Sequence, residues 1–172
     1  MLFSSIPFLY YFLPLVLGVY FLTPRVLKNS VLLLFSLFFY AWGEPRYIFL
    51  MILTIAFGYI FGLLIERFRG RNLAKVFLFL SILFDLGALG YFKYADFFIE
   101  NFNRVTKLSI PFLHIALPIG ISFYTFQILS YKVDVYRGTV KAQKNPINLA
   151  TYVALFPQLI AGPIVRYSSI EK

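Results

Sequence analysis

The chain has 172 residues, of which 60% are hydrophobic and only 13% are charged, and its mean hydropathy is +0.80. A soluble domain cannot cover so much apolar surface, so this composition predicts a membrane protein with several spans. The absence of cysteine excludes disulfides, thiolate metal sites, a cysteine nucleophile and palmitoylation. The Lys and Arg residues that give the net charge of +9 lie between apolar runs and form no basic stripe. Membrane orientation explains this pattern better than nucleic-acid binding does.

Four apolar runs in the first half of the chain are near the length that a membrane-spanning helix needs. They occupy residues 7–23, 30–42, 47–65 and 76–95. The first run follows no basic residue and precedes no small-residue cleavage site, which predicts a retained span and not a secretory signal. The second run is short, so we expect it to be tilted or partly interfacial. In the third run, Gly58 and Gly62 have the spacing that permits close helix contact, although such spacing also arises by chance.

Basic residues between these runs predict the orientation of the chain. The loop of residues 66–75 contains three arginines and a lysine, and the positive-inside rule places it in the cytoplasm. Alternation of the spans then places residues 25–28 inside, the turn at 44–46 outside and the basic loop 137–144 inside. We therefore expect a multi-pass protein of the cytoplasmic membrane whose N-terminus lies outside.

The pattern changes in the second half of the chain. Residues 94–107 carry apolar side chains at helical spacing opposite charged ones, which predicts an amphipathic helix in the membrane interface. Residues 111–118 form a proline-bounded connector, and residues 119–136 form a helix that is too polar to face lipid on all sides. Repeats and linkers are absent, so the sequence predicts one membrane-embedded domain, an all-α polytopic transmembrane helix bundle.

Polar side chains follow one face of the helix 119–136. From Gly120, offsets of four, seven, eleven and fourteen residues give Tyr124, Gln127, Tyr131 and Asp134. These offsets place the side chains along one stripe of a helix. Such a stripe indicates either a wet tunnel for a substrate or a hydrogen-bonded seam between helices.

Two ionisable residues are candidates for chemistry. Asp85 lies near the middle of the fourth apolar run, where an unpaired carboxylate costs at least about 2.5 kcal/mol. We expect it to pair with a basic residue of a neighbouring helix or else to be protonated. His114 is the only histidine and hence the only possible imidazole base, but the sequence places no nucleophile or carboxylate beside it. We do not expect His114 to be catalytic, and we predict no metal site.

The C-terminal segment, residues 148–165, is broken by prolines where a smooth span would be expected. At membrane depth, the carbonyls that prolines leave free must find partners inside protein. The candidate residues here are Pro157, Gln158, Gly162, Pro163 and Arg166. The break either just turns the chain or forms a re-entrant element that lines a reaction chamber, with the Gln158 amide inside and Arg166 at its mouth.

Several blocks of sequence resemble the membrane-bound O-acyltransferase family, and its alginate O-acetyltransferase branch in particular. The blocks are FPQLIAGPIVRY at 156–167, LPIGISFYTF at 117–126, VDVYRG at 133–138, MLFSS at 1–5, FYAW at 39–42 and LGYFKYA at 89–95. Family members are much longer, and their catalytic histidine lies beyond the segment that this chain matches. The resemblance therefore implies an N-terminal portion of such an enzyme, without a catalytic residue of its own.

The resemblance also implies a function. It implies transfer of an acyl group, expected to be acetyl, toward hydroxyls of an exported polysaccharide or a cell-wall polymer. The donor would be acetyl-CoA or an acyl carrier, with no tightly bound cofactor. Expected partners are membrane lipid, the remainder of the enzyme and an extracytoplasmic acetyl-transfer protein, and nucleic acid is not among them. The alternative is a small non-catalytic membrane scaffold or transport component.

Overall fold

A computed structural model describes residues 6–107, 109–113, 117–161 and 166–169. Its helices are α1 (Leu13–Leu22), α2 (Lys28–Gly43), α3 (Ile48–Arg67), α4 (Asn72–Thr106), α5 (Ile121–Arg137), α6 (Pro146–Ala154) and α7 (Phe156–Ala161). A π-helical turn, Phe8–Phe12, precedes α1, and 3₁₀ turns lie at Arg25–Leu27 and Tyr167–Ser169. The described residues contain no strand, and the prediction of an all-α bundle is confirmed.

Three helical stretches of the described chain are long and apolar enough to cross a membrane. They are Arg25–Gly43, Ile48–Arg67 and Asn72–Thr106. The first predicted span, residues 7–23, corresponds to a shorter apolar helix, Phe8–Leu22. Phe8 of this helix packs against Phe39 and Phe156, with ring centroids 5.3 and 5.9 Å away. These aromatic contacts join the N-terminal helix to α2 and to the broken C-terminal segment.

Residues 94–107, which are predicted to form an amphipathic helix in the interface, are helical up to residue 106 but continue α4. α4 runs without interruption through 35 residues, from Asn72 to Thr106. Its length is about 52 Å, well beyond the ~30 Å of a bilayer hydrocarbon core. The helix ends where Lys107 takes a left-handed conformation with φ of 58°. The amphipathic residues are thus the last turns of a long helix, because a change of side-chain polarity does not itself end a helix.

α5 lies at the centre of the bundle and packs against α3, α4 and α6. It is bounded by Gly120 and Gly138, whose φ angles of 75° and 79° are strained for any residue with a Cβ atom. The predicted close contact at Gly58 and Gly62 is confirmed, and it is made with α5. A Cβ atom at Gly58 would lie 2.7 Å from Cγ2 of Ile128, and one at Gly62 would lie 2.9 Å from the Tyr131 ring.

The three loops that the sequence assigns to the cytoplasm lie together at one end of the bundle, here called the basic end. Asn29 donates to the Asn148 side chain at 2.9 Å, which joins the start of α2 to the start of α6. The Tyr59 hydroxyl of α3 donates to the Lys144 carbonyl at 2.7 Å. The alternation of loops that was inferred from charge therefore agrees with the packing of the helices.

Candidate functional site

Residues 152–161 and 166–169, here called the hairpin, are the described parts of the C-terminal segment and contact α5 at two levels. Tyr152 of α6 and Tyr167 lie at the same level, because their ring centroids are 5.1 Å apart and Tyr167 also packs on Tyr131 at 5.0 Å. Between them in sequence, Leu159 lies at the opposite end of α5, where a Cβ atom at Gly120 would be 3.4 Å from the Leu159 side chain. Gly120 and Tyr131 are about 16 Å apart along the α5 axis. Tyr152 and Tyr167 therefore lie toward the basic end, and Leu159 lies toward the other end of the bundle.

The helix break at Leu155 redirects backbone hydrogen bonds to side chains. In an unbroken helix, the Tyr152 carbonyl would accept from the amide of Phe156, but that amide donates to the Ser36 hydroxyl at 3.3 Å. The Gln127 amide of α5 donates to the Tyr152 carbonyl instead, at 2.7 Å. Pro157 has no amide hydrogen to donate, and the backbone amide of Gln158 donates to the Leu155 carbonyl. Side chains of α2 and α5 thus stabilise the break.

A polar cleft of about 330 Å³ lies beside the hairpin at the basic end. Its walls are Asn29, Leu32, Gln143, Asn148, Thr151, Tyr152, Leu155, Gln158 and Tyr167. The Gln143 side chain donates to the Tyr167 hydroxyl at 2.6 Å, which fixes one wall. The Gln158 side-chain nitrogen is buried and has no hydrogen-bond partner among the described residues. The cleft lining contains no carboxylate or histidine, so it can hold and orient a polar molecule but supplies no general base.

The stripe predicted on α5 is buried along its whole length, but its members have different surroundings. Gln127 bonds to Tyr152 as described, and the Tyr131 hydroxyl accepts the amide of Gln143 at 2.8 Å. This half of the stripe is the hydrogen-bonded seam that the sequence analysis considered. The Tyr124 hydroxyl lies beside that of Tyr40, and neither makes a hydrogen bond of good geometry to a described residue.

The remaining candidate residues line a second groove, are exposed or lie outside the described residues. Asp134 lines a groove of about 350 Å³ together with Arg137 and Arg166. The Asp134 Oδ2 atom is buried without a hydrogen-bond partner among the described residues, and Arg166 is exposed. Pro157 is exposed in the first turn of α7 and does not line the cleft. His114, Gly162 and Pro163 lie outside the described residues.

Asp85 pairs with a basic residue of a neighbouring helix, as predicted. Its Oδ2 atom lies 2.5 Å from Nζ of Lys132 on α5, and Lys132 also donates to the Ser81 carbonyl at 3.3 Å. The side chains of Asp85 and Lys132 are 0% and 1% exposed. Within the described part of the chain, no three His, Asp or Glu side chains lie close enough together to hold a metal ion.

Sequence reasoning missed several residues of this region. Lys132 was not considered, although a lysine inside a predicted membrane helix is itself a signal for a buried partner. Gln143 and Tyr167 come from loops, where no periodicity marks a side chain that faces a cleft. Arg69 was interpreted only as part of a cytoplasmic basic loop.

Arg69 also caps the C-terminal end of α5. Its Nη2 atom donates to the carbonyls of Val135 and Val140, at 2.7 and 3.3 Å. Glu66 accepts the amide of Ala142 at 3.1 Å. A cation at the last carbonyls of a helix satisfies unpaired acceptors and complements the helix dipole. Together the two side chains hold the loop that leads from α5 into the cleft.

We expect Arg69→Gln to lower the free energy of unfolding by about 1–2 kcal/mol, because two carbonyls lose a charged donor. Reversible unfolding in mixed lipid–detergent micelles would measure the loss. The matched control is Arg71→Gln, an exposed position in the same loop, which we expect to change stability by less than about 0.5 kcal/mol. Equal losses in both variants would mean that the charge of the loop matters and the cap does not.

Comparison with known proteins identifies relatives over the whole chain. A probable alginate O-acetylase of Azotobacter vinelandii is 45% identical over 175 residues, which cover 99% of this chain and 35% of that protein. A probable alginate O-acetylase of Pseudomonas aeruginosa is also 45% identical, over 99% of this chain and 34% of its own length. A peptidoglycan O-acetyltransferase of Helicobacter pylori is 34% identical, over 99% of this chain and 38% of that protein.

The chain spans about a third of the length of the curated relatives that it matches. No protein-family model matches it. No solved structure matches it significantly. These relatives are O-acetyltransferases of the membrane-bound O-acyltransferase type, and this chain is similar to about a third of each.

Proposed function

We propose that this chain forms the N-terminal part of a membrane O-acetyltransferase that modifies hydroxyls of an exported polysaccharide or a cell-wall polymer. The names of the relatives, alginate O-acetylase and peptidoglycan O-acetyltransferase, support the reaction and the acceptor class. The structural observation that carries the proposal is the hairpin between Tyr152 and Tyr167, which borders a polar cleft at the basic end. Broken backbone at membrane depth is tolerated where it lines such a cavity.

In the proposed reaction, the acceptor oxygen attacks the carbonyl carbon of an acetyl thioester. The new C–O bond forms as the C–S bond breaks, a general base takes the hydroxyl proton, and the thiol leaves with a proton. The family resemblance implies that the base, a histidine, lies beyond the matched segment. We assign to this chain the binding and orientation of the donor, an acetyl-CoA or an acyl carrier, in the cleft. The acceptor is either the polymer itself or an extracytoplasmic partner protein, which would then pass the acetyl group to a polymer hydroxyl.

A chimera tests this function. The matched portion of the Azotobacter vinelandii relative is replaced by this chain, and ester-linked acetate on alginate is measured in a strain that lacks the native gene. We expect acetylation to be retained, because the chain aligns with that portion along 99% of its own length. A chimera that reaches the membrane in normal amount but adds no acetate would contradict the proposal.

Within that chimera, we expect Gln158→Leu to reduce acetylation by about tenfold or more, since a misplaced donor reacts slowly even when the catalytic groups are intact. The control is Asn101→Leu, which removes an exposed amide of α4 whose hydrogen bond is local. An unchanged rate in Gln158→Leu would show that the cleft does not hold the donor.

We further propose that the basic end faces the cytoplasm, so that a cytoplasmic donor reaches the cleft directly. A reporter that is active only in the cytoplasm should be active when it is fused within residues 68–71. A reporter that is active only outside should be active when it is fused within residues 44–46. The opposite pattern would overturn the orientation without affecting the assignment to the family.

A further inference from the structure

The buried pair Asp85–Lys132 has no part in the polar cleft. It lies between α4 and α5, and Lys132 reaches only α4, through Asp85 and the Ser81 carbonyl. The Asp85 Oδ1 atom is buried and has no hydrogen-bond partner among the described residues. Replacing a buried ion pair by apolar side chains is often neutral or stabilising, so stability alone is a weak account of such a pair.

α5 buries two adjacent stripes of side chains. One consists of Tyr124, Gln127, Tyr131 and Asp134, of which Gln127 bonds to α6 and Tyr131 packs on Tyr167. The other contains Lys132 and consists of Ile121, Thr125, Ile128, Lys132 and Val135, all of which are at most 2% exposed. Thr125, Ile128, Lys132 and Val135 each follow a residue of the first stripe, so the stripes are about 100° apart around the helix. The rotation of α5 about its axis therefore decides which stripe contacts the cleft-lining residues Tyr152, Gln143 and Tyr167.

Several contacts favour the observed rotation of α5. Gly58 and Gly62 receive Ile128 and Tyr131 at close range, and Gln127 and Tyr131 hydrogen-bond to Tyr152 and Gln143. Apolar side chains of similar volume can replace one another in a packed surface at modest cost. A charge is different, because only one rotation of α5 brings the Lys132 ammonium to the Asp85 carboxylate. Any other rotation leaves both charges buried and unpaired.

We infer that Asp85 and Lys132 are positioning residues that fix the rotation of α5, and so hold Gln127 and Tyr131 against Tyr152, Gln143 and Tyr167, which line the cleft. The pair acts through the helix and not by contact with a substrate. A single buried polar interaction can specify the register of packed helices in this way, at some cost in stability. The inference does not depend on acetyl transfer.

The absence of native cysteine allows a direct test with spin labels. Cysteines are introduced at Phe126 on α5 and Ile60 on α3, which are 43% and 52% exposed, and the label–label distance distribution is recorded for the full chain in lipid nanodiscs. With the pair intact, we expect one narrow distance. In the neutral double variant Asp85→Leu/Lys132→Leu, we expect a second distance or a broadened peak, displaced on the order of 10 Å by rotation of one residue.

The exchanged pair Asp85→Lys/Lys132→Asp separates charge pairing from packing, and we expect it to restore the narrow distance. If the leucine double variant does not fold, Asp85→Asn/Lys132→Met keeps the side-chain volumes and leaves no charge unpaired, and we expect the same broadening. A folded neutral variant that retains the original narrow distance would overturn the inference. So would an exchanged pair that is as broad as the neutral one.

Discussion

Replacement of Lys132 by leucine is expected to destabilise the bundle more than any other single change considered for this chain. The loss should be about 3–5 kcal/mol of unfolding free energy, because it leaves the Asp85 carboxylate buried without its partner. The desolvated charge is the cause, since leucine retains most of the apolar volume of the lysine stem. Reversible unfolding in mixed lipid–detergent micelles, followed by loss of helical circular dichroism, would measure it.

Two variants separate this effect from a general loss of positive charge. Lys75→Leu removes an exposed lysine from α4, the helix that carries Asp85, and should change stability by less than about 0.5 kcal/mol. The double variant Asp85→Leu/Lys132→Leu should recover most of the loss, because no charge is left unpaired. A double variant as unstable as Lys132→Leu would assign the loss to packing and contradict the explanation.

Helices that are marked by apolar length could be predicted from the sequence, whereas their ends could not. The run 47–65 corresponds closely to α3, Ile48–Arg67, since length and hydropathy suffice to define a span. The helix boundary expected near residue 94 does not exist, because that prediction relied on a change of side-chain polarity. No proline or left-handed residue interrupts the backbone before Lys107, and backbone hydrogen bonds continue wherever the chain permits them.

The site could be predicted only where it has a local periodicity. The stripe from Tyr124 to Asp134 was found because one helix fixes its spacing. The need of Asp85 for a partner was also predictable, since the cost of burial belongs to the residue itself. The identity of that partner was not, because Lys132 is 47 residues away and only the packing of α4 on α5 brings them together. The position of Gln143 in the cleft wall could not be predicted for the same reason.

Leucine at Gly62 is expected to produce the second largest loss of stability, near 3 kcal/mol, by forcing α3 away from α5. A Cβ atom alone at this position would lie 2.9 Å from the Tyr131 ring, and a leucine side chain must displace the ring altogether. Tyr131 holds the Gln143 amide and packs on Tyr167, so the displacement should also disturb the cleft. Unfolding in micelles would measure the first effect, and acetylation by the chimera the second.

Gly87 provides the matched control, because a Cβ atom there would have no neighbour within 4 Å. Gly87→Leu should be neutral or stabilise the helix by up to about 1 kcal/mol, since glycine is a poor helix former. If Gly62→Leu and Gly87→Leu behave alike, close approach of α3 to α5 is not what Gly62 provides. If Gly62→Leu lowers stability but leaves acetylation per folded molecule unchanged, the α3–α5 contact supports the bundle without shaping the cleft.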